Sequence, residues 1–409
     1  MFGKIRNSKQ QREVDPMVRR EKYLAEIRGF YRDDLIKIIT GVRRCGKSIV
    51  LEQIREELSE STDNFVFLDF DDRIATSEIQ AWQDIVCYVQ KRRKDGMCFV
   101  FLDEVQEIDG WANACRSLRR ENCSVFITGS NSKLLSREFT KELSGRYVSF
   151  QIRPFVFSEV KEYLSQLHKP CSVSDYVIWG GFPKRLEFDS QQEQRRYLSD
   201  LNETIIVNDL INRYGIRKQD EFRKLVNYIL ISNARIYSAK SISDHMIGNG
   251  IMITPNTVQK WIGYLSRAYI IDEVPRYSKK AKKELEQSRK VYNCDVSLNS
   301  IRCRDNRYDL THNLENIVYN ELLYRDYNVT VYDNNGREID FLAEKDGRKT
   351  YIQVAWSVVE NKTWEREFSA FSGIPAYDRK IIITNDETDY STSAVEHIRL
   401  SDFLTGEAL

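Results

Sequence analysis

The chain is poor in metal-binding side chains. Across 409 residues it has four histidines and eight cysteines, at positions 45, 87, 98, 115, 123, 171, 294 and 303, and no C-x-x-C pair. Structural zinc needs clustered thiols and imidazoles, so that class of site is excluded. Scattered, unpaired thiols fit a reducing compartment and are expected to be buried and inert, Cys45 included. Long hydrophobic runs are also missing: nothing approaches the roughly 20 apolar residues that span a bilayer, and no N-terminal run resembles a signal peptide. A cytoplasmic protein with no membrane association is expected. Charge of one sign is not in excess, since 62 Lys and Arg face 61 Asp and Glu. The chain as a whole is therefore no polyanion binder, and any nucleic-acid contact must come from a local patch. There is no low-complexity tract and no internal repeat.

At 41% hydrophobic residues the chain can bury sizeable cores, and its length calls for two or three of them. The stretch TGVRRCGKSIV, Thr40 to Val50, has the spacing G-x-x-x-x-G-K-S. It is preceded by the Ile-rich run Leu35 to Gly41, of strand length. It is followed by Ile49 to Leu58, where Ile49, Leu51, Ile54 and Leu58 recur at roughly helical period. Strand, glycine-bearing turn and helix start are what phosphate binding requires, because backbone N–H groups and the helix dipole then face the anion. Gly46 lets the backbone approach, Lys47 reaches the outer phosphates and Ser48 is placed to ligate Mg²⁺.

The runs Phe65 to Phe70, Cys98 to Glu104 and Ser124 to Ser130 read as near-continuous apolar strands. That pattern suits a parallel sheet covered by helices on both faces, an open α/β fold. The second run ends in Asp103-Glu104. A carboxylate at a strand's C-terminal end beside the phosphate loop can hold Mg²⁺ through water, and the next can orient or deprotonate an attacking water. The third run ends in Ser130-Asn131, either polar groups for the γ-phosphate and its water or a helix N-cap. Arg146 follows a glycine and is either a guanidinium for phosphoryl transfer, delivered in cis or to a neighbouring copy, or one half of a surface ion pair.

In this order and at these intervals, GVRRCGKS, FLDEVQ, TGSNSKLLS, LSGRY, RPFVFSE and WGGFP resemble the prokaryotic AAA-type ATPases of the signal-transduction (STAND-like) branch. There a double-arginine phosphate loop precedes a winged helix and a C-terminal domain. The resemblance covers nearly the whole chain. It implies an ATP site formed by Gly41, Val42, Arg43, Arg44, Cys45, Gly46, Lys47, Ser48, Ile49 and Ser130, with Mg²⁺ on Ser48 and Asp103. It implies catalytic roles for Lys47, Glu104, Asn131 and Arg146, the last an arginine finger that in trans would require a homo-oligomer. Preference for ATP over GTP rests on the resemblance; no N/T-K-x-D guanine-reading motif is present.

Beyond Pro183 the pattern turns helical, with amphipathic segments at Tyr197 to Leu210 and Phe222 to Ile231. Ser241 to Leu265 has helix-turn-helix spacing, with Thr254 as N-cap and Pro255 as first helical residue. Two strands joined by a basic hairpin follow, so the unit reads as a winged helix. Its hairpin is the strongest cationic cluster: Arg276, Lys279, Lys280, Lys282, Lys283, Arg289 and Lys290. With Asn256, Gln259 and Lys260 on the second helix, this surface reads either as a duplex DNA contact or as a protein-packing module.

His312 to Asp326 reads as a helix carrying Glu315 and Glu321, followed over Val329 to Ser357 by two alternating strands joined at Lys345 to Gly347. A helix glutamate, the strand acid Asp340 and the Gln353-Val354-Ala355 triplet resemble the PD-(D/E)XK nuclease core. Phosphodiester cleavage there needs carboxylates for Mg²⁺ and usually a lysine. Gln353 is neutral and Ala355 moves no proton, so a degenerate nuclease fold is expected, with the lysine's place vacant. Three domains follow: 1–185, a P-loop ATPase; 186–295, helical and winged-helix; 296–409, restriction-endonuclease-like α/β. The leading function is an ATP-hydrolysing switch acting on DNA or a protein partner. The alternatives are an ATP-regulated metal-dependent nuclease in defence or repair, which Gln353 and Ala355 oppose, and a nucleotide-stabilised scaffold, which an intact Glu104 opposes.

Overall fold

Short apolar runs become the strands that place the phosphate loop. The computed structural model describes residues 17–72, 74, 76–130, 143, 145–278, 289–303, 305–334 and 336–406. Asn131, Lys279, Lys280, Lys282 and Lys283 lie outside these. Strands β1 (Ile36–Thr40), β2 (Phe65–Asp69), β3 (Cys98–Asp103), β4 (Cys123–Gly129) and β5 (Tyr147–Gln151) form a parallel sheet in the order β2-β3-β4-β1-β5. β1, β3 and β4 are buried at every residue, as central parallel strands must be, whereas the edge strand β2 alternates.

Side chains divide between the two faces by the period of two. Ile39, Phe99, Phe101 and Phe126 join α1 (Glu21–Arg28) and α2 (Lys47–Ser59) on one side. Ile36, Ile38, Val100, Leu102, Val125 and Ile127 join α3 (Trp82–Arg92) and α4 (Trp111–Arg120) on the other. The first of these cores is not confined to the sheet. It continues into the middle of the chain through Leu198, Ile206, Phe222, Leu225, Val258 and Ile262.

The helical middle comprises α5 (Phe157–Gln166), α6 (Val173–Trp179), α7 (Gln191–Thr204) with a π-helical continuation Ile205–Asn212, and α8 (Gln219–Ile231). Then come β6 (Arg235–Tyr237), α9 (Ala239–Gly248), α10 (Pro255–Arg267), β7 (Ile271–Ser278) and β8 (Arg289–Asn293). Thr254 caps α10 by accepting the Thr257 N–H at 3.2 Å, with Pro255 in the first turn. The last third is α11 (Leu310–Tyr324), β9 (Asn328–Asn334), β10 (Arg337–Lys345), β11 (Arg348–Val354), α12 (Asn361–Ser369), β12 (Arg379–Thr384), β13 (Glu396–Arg399) and α13 (Leu400–Thr405). β10 and β11 meet at Asp346-Gly347, whose φ of 50° and 74° suit the tight turn that a right-twisted hairpin prefers.

Composition places a boundary near residue 295, but the backbone hydrogen bonding runs through it. β7 pairs antiparallel with β8 on one side and parallel with β9 on the other, from Arg276 opposite Val331 to Ser278 opposite Asp333. A mixed eight-stranded sheet results, ordered β13-β12-β11-β10-β9-β7-β8-β6. The physical reason is the edge: β7 would otherwise present unpaired N–H and C=O groups.

The sequence WGGFP explains a second junction. A Cβ on Gly181 would overlap the Phe155 carbonyl and one on Gly180 the Asp295 carboxylate. Their absence lets Gly181 donate its N–H to Asp295 Oδ2 at 2.7 Å, holding the end of α6 against the chain that leaves β8.

Candidate functional site

The turn between β1 and α2 stands at the C-terminal ends of the parallel strands, where open α/β sheets bind ligands. Gly41, at φ 150°, leaves no room for a side chain because the Ile152 carbonyl oxygen packs against it. Gly46, at φ 102°, is the N-cap of α2, so the helix's unpaired first-turn N–H groups open onto the loop. Val42 and Cys45 are buried under the loop, Arg44, Ser48 and Ile49 are exposed on it, and Arg43 is partly buried. Burial above all raises the Cys45 thiol, against the nearby Lys47 and Arg20 charges, which makes it a poor nucleophile.

Lys47 is 4% exposed, its Nζ 3.3 Å from Glu104 Oε1 and 3.4 Å from the Val42 carbonyl it donates to. Desolvation is the largest influence on both and disfavours both charges, but the opposing contacts together outweigh it: Lys47, beside Glu104, is held above its ordinary range, and Glu104, beside Lys47, Gln106 and Arg43, below. Glu104 sits at φ 49°, a strained left-handed conformation for a glutamate, fixed by its N–H donating to Thr128 Oγ1 at 2.9 Å. Its Oε2 accepts from Gln106 Nε2 and, at 3.3 Å, from the Ser130 N–H. Asp103 is 3% exposed and accepts from Thr128 Oγ1; burial pushes its carboxyl upward, opposed by hydrogen bonds from Ser48 and Thr128. Ser130 Oγ and Gln106 Oε1 are buried beside this group without hydrogen-bond partners among the described residues. Together with the hard oxygens of Ser48 and Asp103, such orphaned atoms fit a polar ligand carrying Mg²⁺.

A cavity of about 850 Å³ opens over the loop. It is lined by polar residues such as Arg43, Lys47, Ser48, Asp71 and Glu104 and by apolar ones such as Val18, Phe155 and Leu167. Two arginines brace it. Arg20, 1% exposed, donates from Nη1 to the Cys45 carbonyl at 3.2 Å and from Nη2 to the Arg153 carbonyl at 2.9 Å, with Nε 2.8 Å from Glu159 Oε1. Arg43 makes a two-pronged pair with Asp209 of the π-helical segment, at 3.0 and 3.1 Å.

The structure gathers Gly41 to Ile49, Asp103, Glu104 and Ser130 into one place, and it separates Arg146 from them. β5 runs parallel to β1 with Tyr147 opposite Ile36, so Arg146 is at the amino end of the sheet. Five residues of strand, about 16 Å, divide it from the loop. It is exposed there, which rules out a finger acting within its own chain.

On α10, Asn256, Gln259 and Lys260 are all exposed. Arg276 is not part of that surface. It lies on β7 where that strand pairs with β9, opposite Val331, its guanidinium 3.5 Å from Asp333 Oδ1. Lys290, counted from sequence among the surface cations, is 4% exposed. Its Nζ is 2.6 Å from Glu315 Oε1, 2.8 Å from Glu338 Oε1 and 3.2 Å from Asp340 Oδ1. Glu315, Asp340 and Gln353 thus do meet, beside a cavity of about 650 Å³, but with a lysine among them where none was expected. Burial, then the Asp340 charge, pushes Glu315 up to about 8 against the opposing Lys290. Residues with no sequence signal complete both sites: Arg20 and Asp209 at the first, Lys290 and Glu338 at the second. Thr128 and Gln106 were within quoted motifs, yet their contacts depend on strand register.

This is a P-loop domain joined to a helical middle and a mixed sheet. Residues 33–161 match the family described as an AAA domain, residues 172–303 and 311–403 two families described as domains of unknown function. Among curated proteins, the chain is 29% identical over 399 residues to an uncharacterised protein of Haemophilus influenzae, covering 95% of this chain and 98% of the other. It is also 29% identical over 378 residues to an uncharacterised protein of Methanocaldococcus jannaschii, covering 86% and 82%. Among solved structures, AMPPCP-bound DnaA from Aquifex aeolicus aligns at 14% identity and TM-score 0.32, over 60% of this chain and 86% of that one. Among the described residues no helix is long and apolar enough to cross a membrane.

Proposed function

We propose that the chain binds ATP with Mg²⁺ at the loop Gly41 to Ile49 and hydrolyses it, serving as a switch for a macromolecular partner. The observation that carries this reading is the Lys47–Glu104 pair inside the cavity. A polyphosphate entering over α2 competes for the Lys47 ammonium, and Glu104, released from it, is left beside Ser130 to orient or deprotonate a water. Ser48 and Asp103 would hold Mg²⁺, whose charge offsets that of the phosphates. The base is therefore masked by the same lysine that receives the nucleotide.

The test is steady-state ATP hydrolysis and nucleotide binding by wild type, Lys47→Ala and Glu104→Gln. Lys47→Ala should weaken binding. Glu104→Gln should keep it and lose turnover by about 10²-fold or more, the usual contribution of a positioned base. Unchanged binding in the lysine variant would sink the assignment.

Because Arg146 is exposed at the far end of the sheet, its catalytic role is proposed only in trans, in a homo-oligomer. Mixing Arg146→Ala with Lys47→Ala protein should then restore part of the turnover that each lacks; no recovery at any mixing ratio refutes it. A duplex DNA contact through the winged-helix-like unit is supported by Asn256, Gln259 and Lys260, exposed together on α10. Affinity should fall steeply with salt and drop when these three are replaced by alanine. Salt-independent or absent binding leaves α9 and α10 as a protein-facing module.

A further inference from the structure

The resemblance of the last third to a metal-dependent nuclease leads one to look for a divalent ion between Glu315 and Asp340, and the donors there do not fit one. Every carboxylate is already engaged. Lys290 Nζ contacts one oxygen each of Glu315, Glu338 and Asp340 at 2.6, 2.8 and 3.2 Å. Glu315 Oε1 also accepts from Tyr292 OH at 2.6 Å, and Asp340 Oδ2 from the Val354 N–H at 2.9 Å. Gln353, where the nuclease pattern has an acid, spends its amide on Glu367 Oε2 at 2.7 Å and accepts the Asp340 N–H at 3.3 Å. Among the described residues no group of three or more His, Cys, Asp or Glu side chains is disposed to hold a metal ion.

A lysine serving hydrolysis would keep a donor or a lone pair for water or phosphate. An ammonium has three N–H donors, and here three acidic side chains face it. We propose that Lys290 is the resident cation of this pocket: a tethered ammonium stands where a divalent ion would bind, and the pocket is a structural joint that does not cleave. The joint is made between units, because Lys290 belongs to β8, paired with β6 and β7, whereas Glu315 is on α11 and Glu338 and Asp340 are on β10. The three acids by themselves would repel one another. Their counter-ion comes from the unit that carries α9 and α10, which is the strand-level reason the two parts share one sheet. This inference stands apart from the ATPase reading and survives its failure.

The experiment is Mn²⁺ binding to the full chain without nucleotide, followed by the electron-paramagnetic-resonance signal of free Mn²⁺. The proteins are wild type, Asp340→Asn, Lys290→Met and the Lys290→Met/Asp340→Asn double variant. Wild type and Asp340→Asn should bind alike, with no site that depends on Asp340. Lys290→Met should gain a Mn²⁺ site that the double variant lacks, and its thermal midpoint should shift upward with Mn²⁺ while that of wild type does not. An Asp340-dependent site in wild type overturns the proposal. So does a folded Lys290→Met protein that gains none, or duplex cleavage by wild type that Asp340→Asn abolishes. If Lys290→Met does not fold, the comparison of wild type with Asp340→Asn still decides.

Discussion

Replacing Arg20 by methionine tests how the phosphate loop is held. The side chain is 1% exposed and its guanidinium lies between the rings of Tyr23 and Phe155, at 4.7 and 5.0 Å. It joins the Cys45 carbonyl of the loop, the Arg153 carbonyl beyond β5 and the Glu159 carboxylate of α5. Methionine keeps much of the volume and removes every polar contact, leaving Glu159 buried without its cation. Removing one member of a buried pair costs about 3–5 kcal/mol, because the survivor's desolvation is then uncompensated. Two carbonyls lose donors as well, but these losses share one cause and do not add in full. The expected destabilisation is therefore about 4 kcal/mol in the first transition of urea unfolding, read by tryptophan fluorescence. Glu159→Met should cost a similar amount, and the double variant, with both charges gone, less than the sum by about 2 kcal/mol or more. Nucleotide affinity should fall about tenfold as the Cys45 carbonyl loses its brace, the equivalent of 1.4 kcal/mol. A destabilisation under about 1 kcal/mol, or a double variant equal to the sum, would refute the reasoning.

The remaining predictions concern the other joints. Gly181→Ala places a Cβ against the Phe155 carbonyl oxygen and should abolish soluble expression or lower the urea midpoint sharply, whereas Gly29→Ala, with open space around it, should not. Asp209→Asn removes the charge that the Arg43 guanidinium grips and should cost about 2 kcal/mol in the same unfolding assay; a change under about 0.5 makes the pair incidental. Glu315 goes from an ordinary 4.5 to about 8 in the fold, so the folded chain holds a proton that the unfolded chain has lost across that window. Stability should fall as pH rises from about 5 to 8, and Glu315→Gln should flatten the slope; an unaltered slope would mean that another group sets it.

The parallel sheet was legible because central strands buried on both faces cannot alternate, so each appeared as an unbroken apolar run. The carboxylates ending the third strand and the glycines of the turn were legible for a related reason: chemistry at the carboxyl end of a strand comes with the strand. What stayed hidden depends on partners far away in sequence. Lys290 lies in RKVYN, among cationic neighbours, and looks like a solvated charge. Only the pairing of β7 with β9 and the approach of α11 enclose it. Its place after a glycine leaves Arg146 open as a finger, yet its position within its own chain is decided by strand direction, since a parallel β5 begins at the end of the sheet away from the loop. Arg20 precedes the first strand in a polar segment that gives no hint of burial.

These hidden residues form one line through the molecule. Arg20 joins the Cys45 carbonyl of the loop to the Arg153 carbonyl, and the Arg153 side chain pairs with Asp272 of β7 at 2.8 Å. In β7, Asp272 stands opposite Tyr292 of β8 and Val274 opposite Lys290, and Lys290 reaches the three acids of the last third. Contiguity of this kind does not by itself carry energy between sites; an element with two arrangements must respond to both ends. On the ATP reading proposed above, the Lys47–Glu104 pair would be such an element at one end, since a polyphosphate engaging Lys47 would loosen it. The other end is built differently, because Lys290 already sits between the side chains of Glu315, Glu338 and Asp340. If the chain binds nucleotide as proposed, it would respond at the phosphate loop and stay anchored at the C-terminal sheet. A partner sensing nucleotide state would then be sought near α9 and α10, between the part that moves and the part that does not.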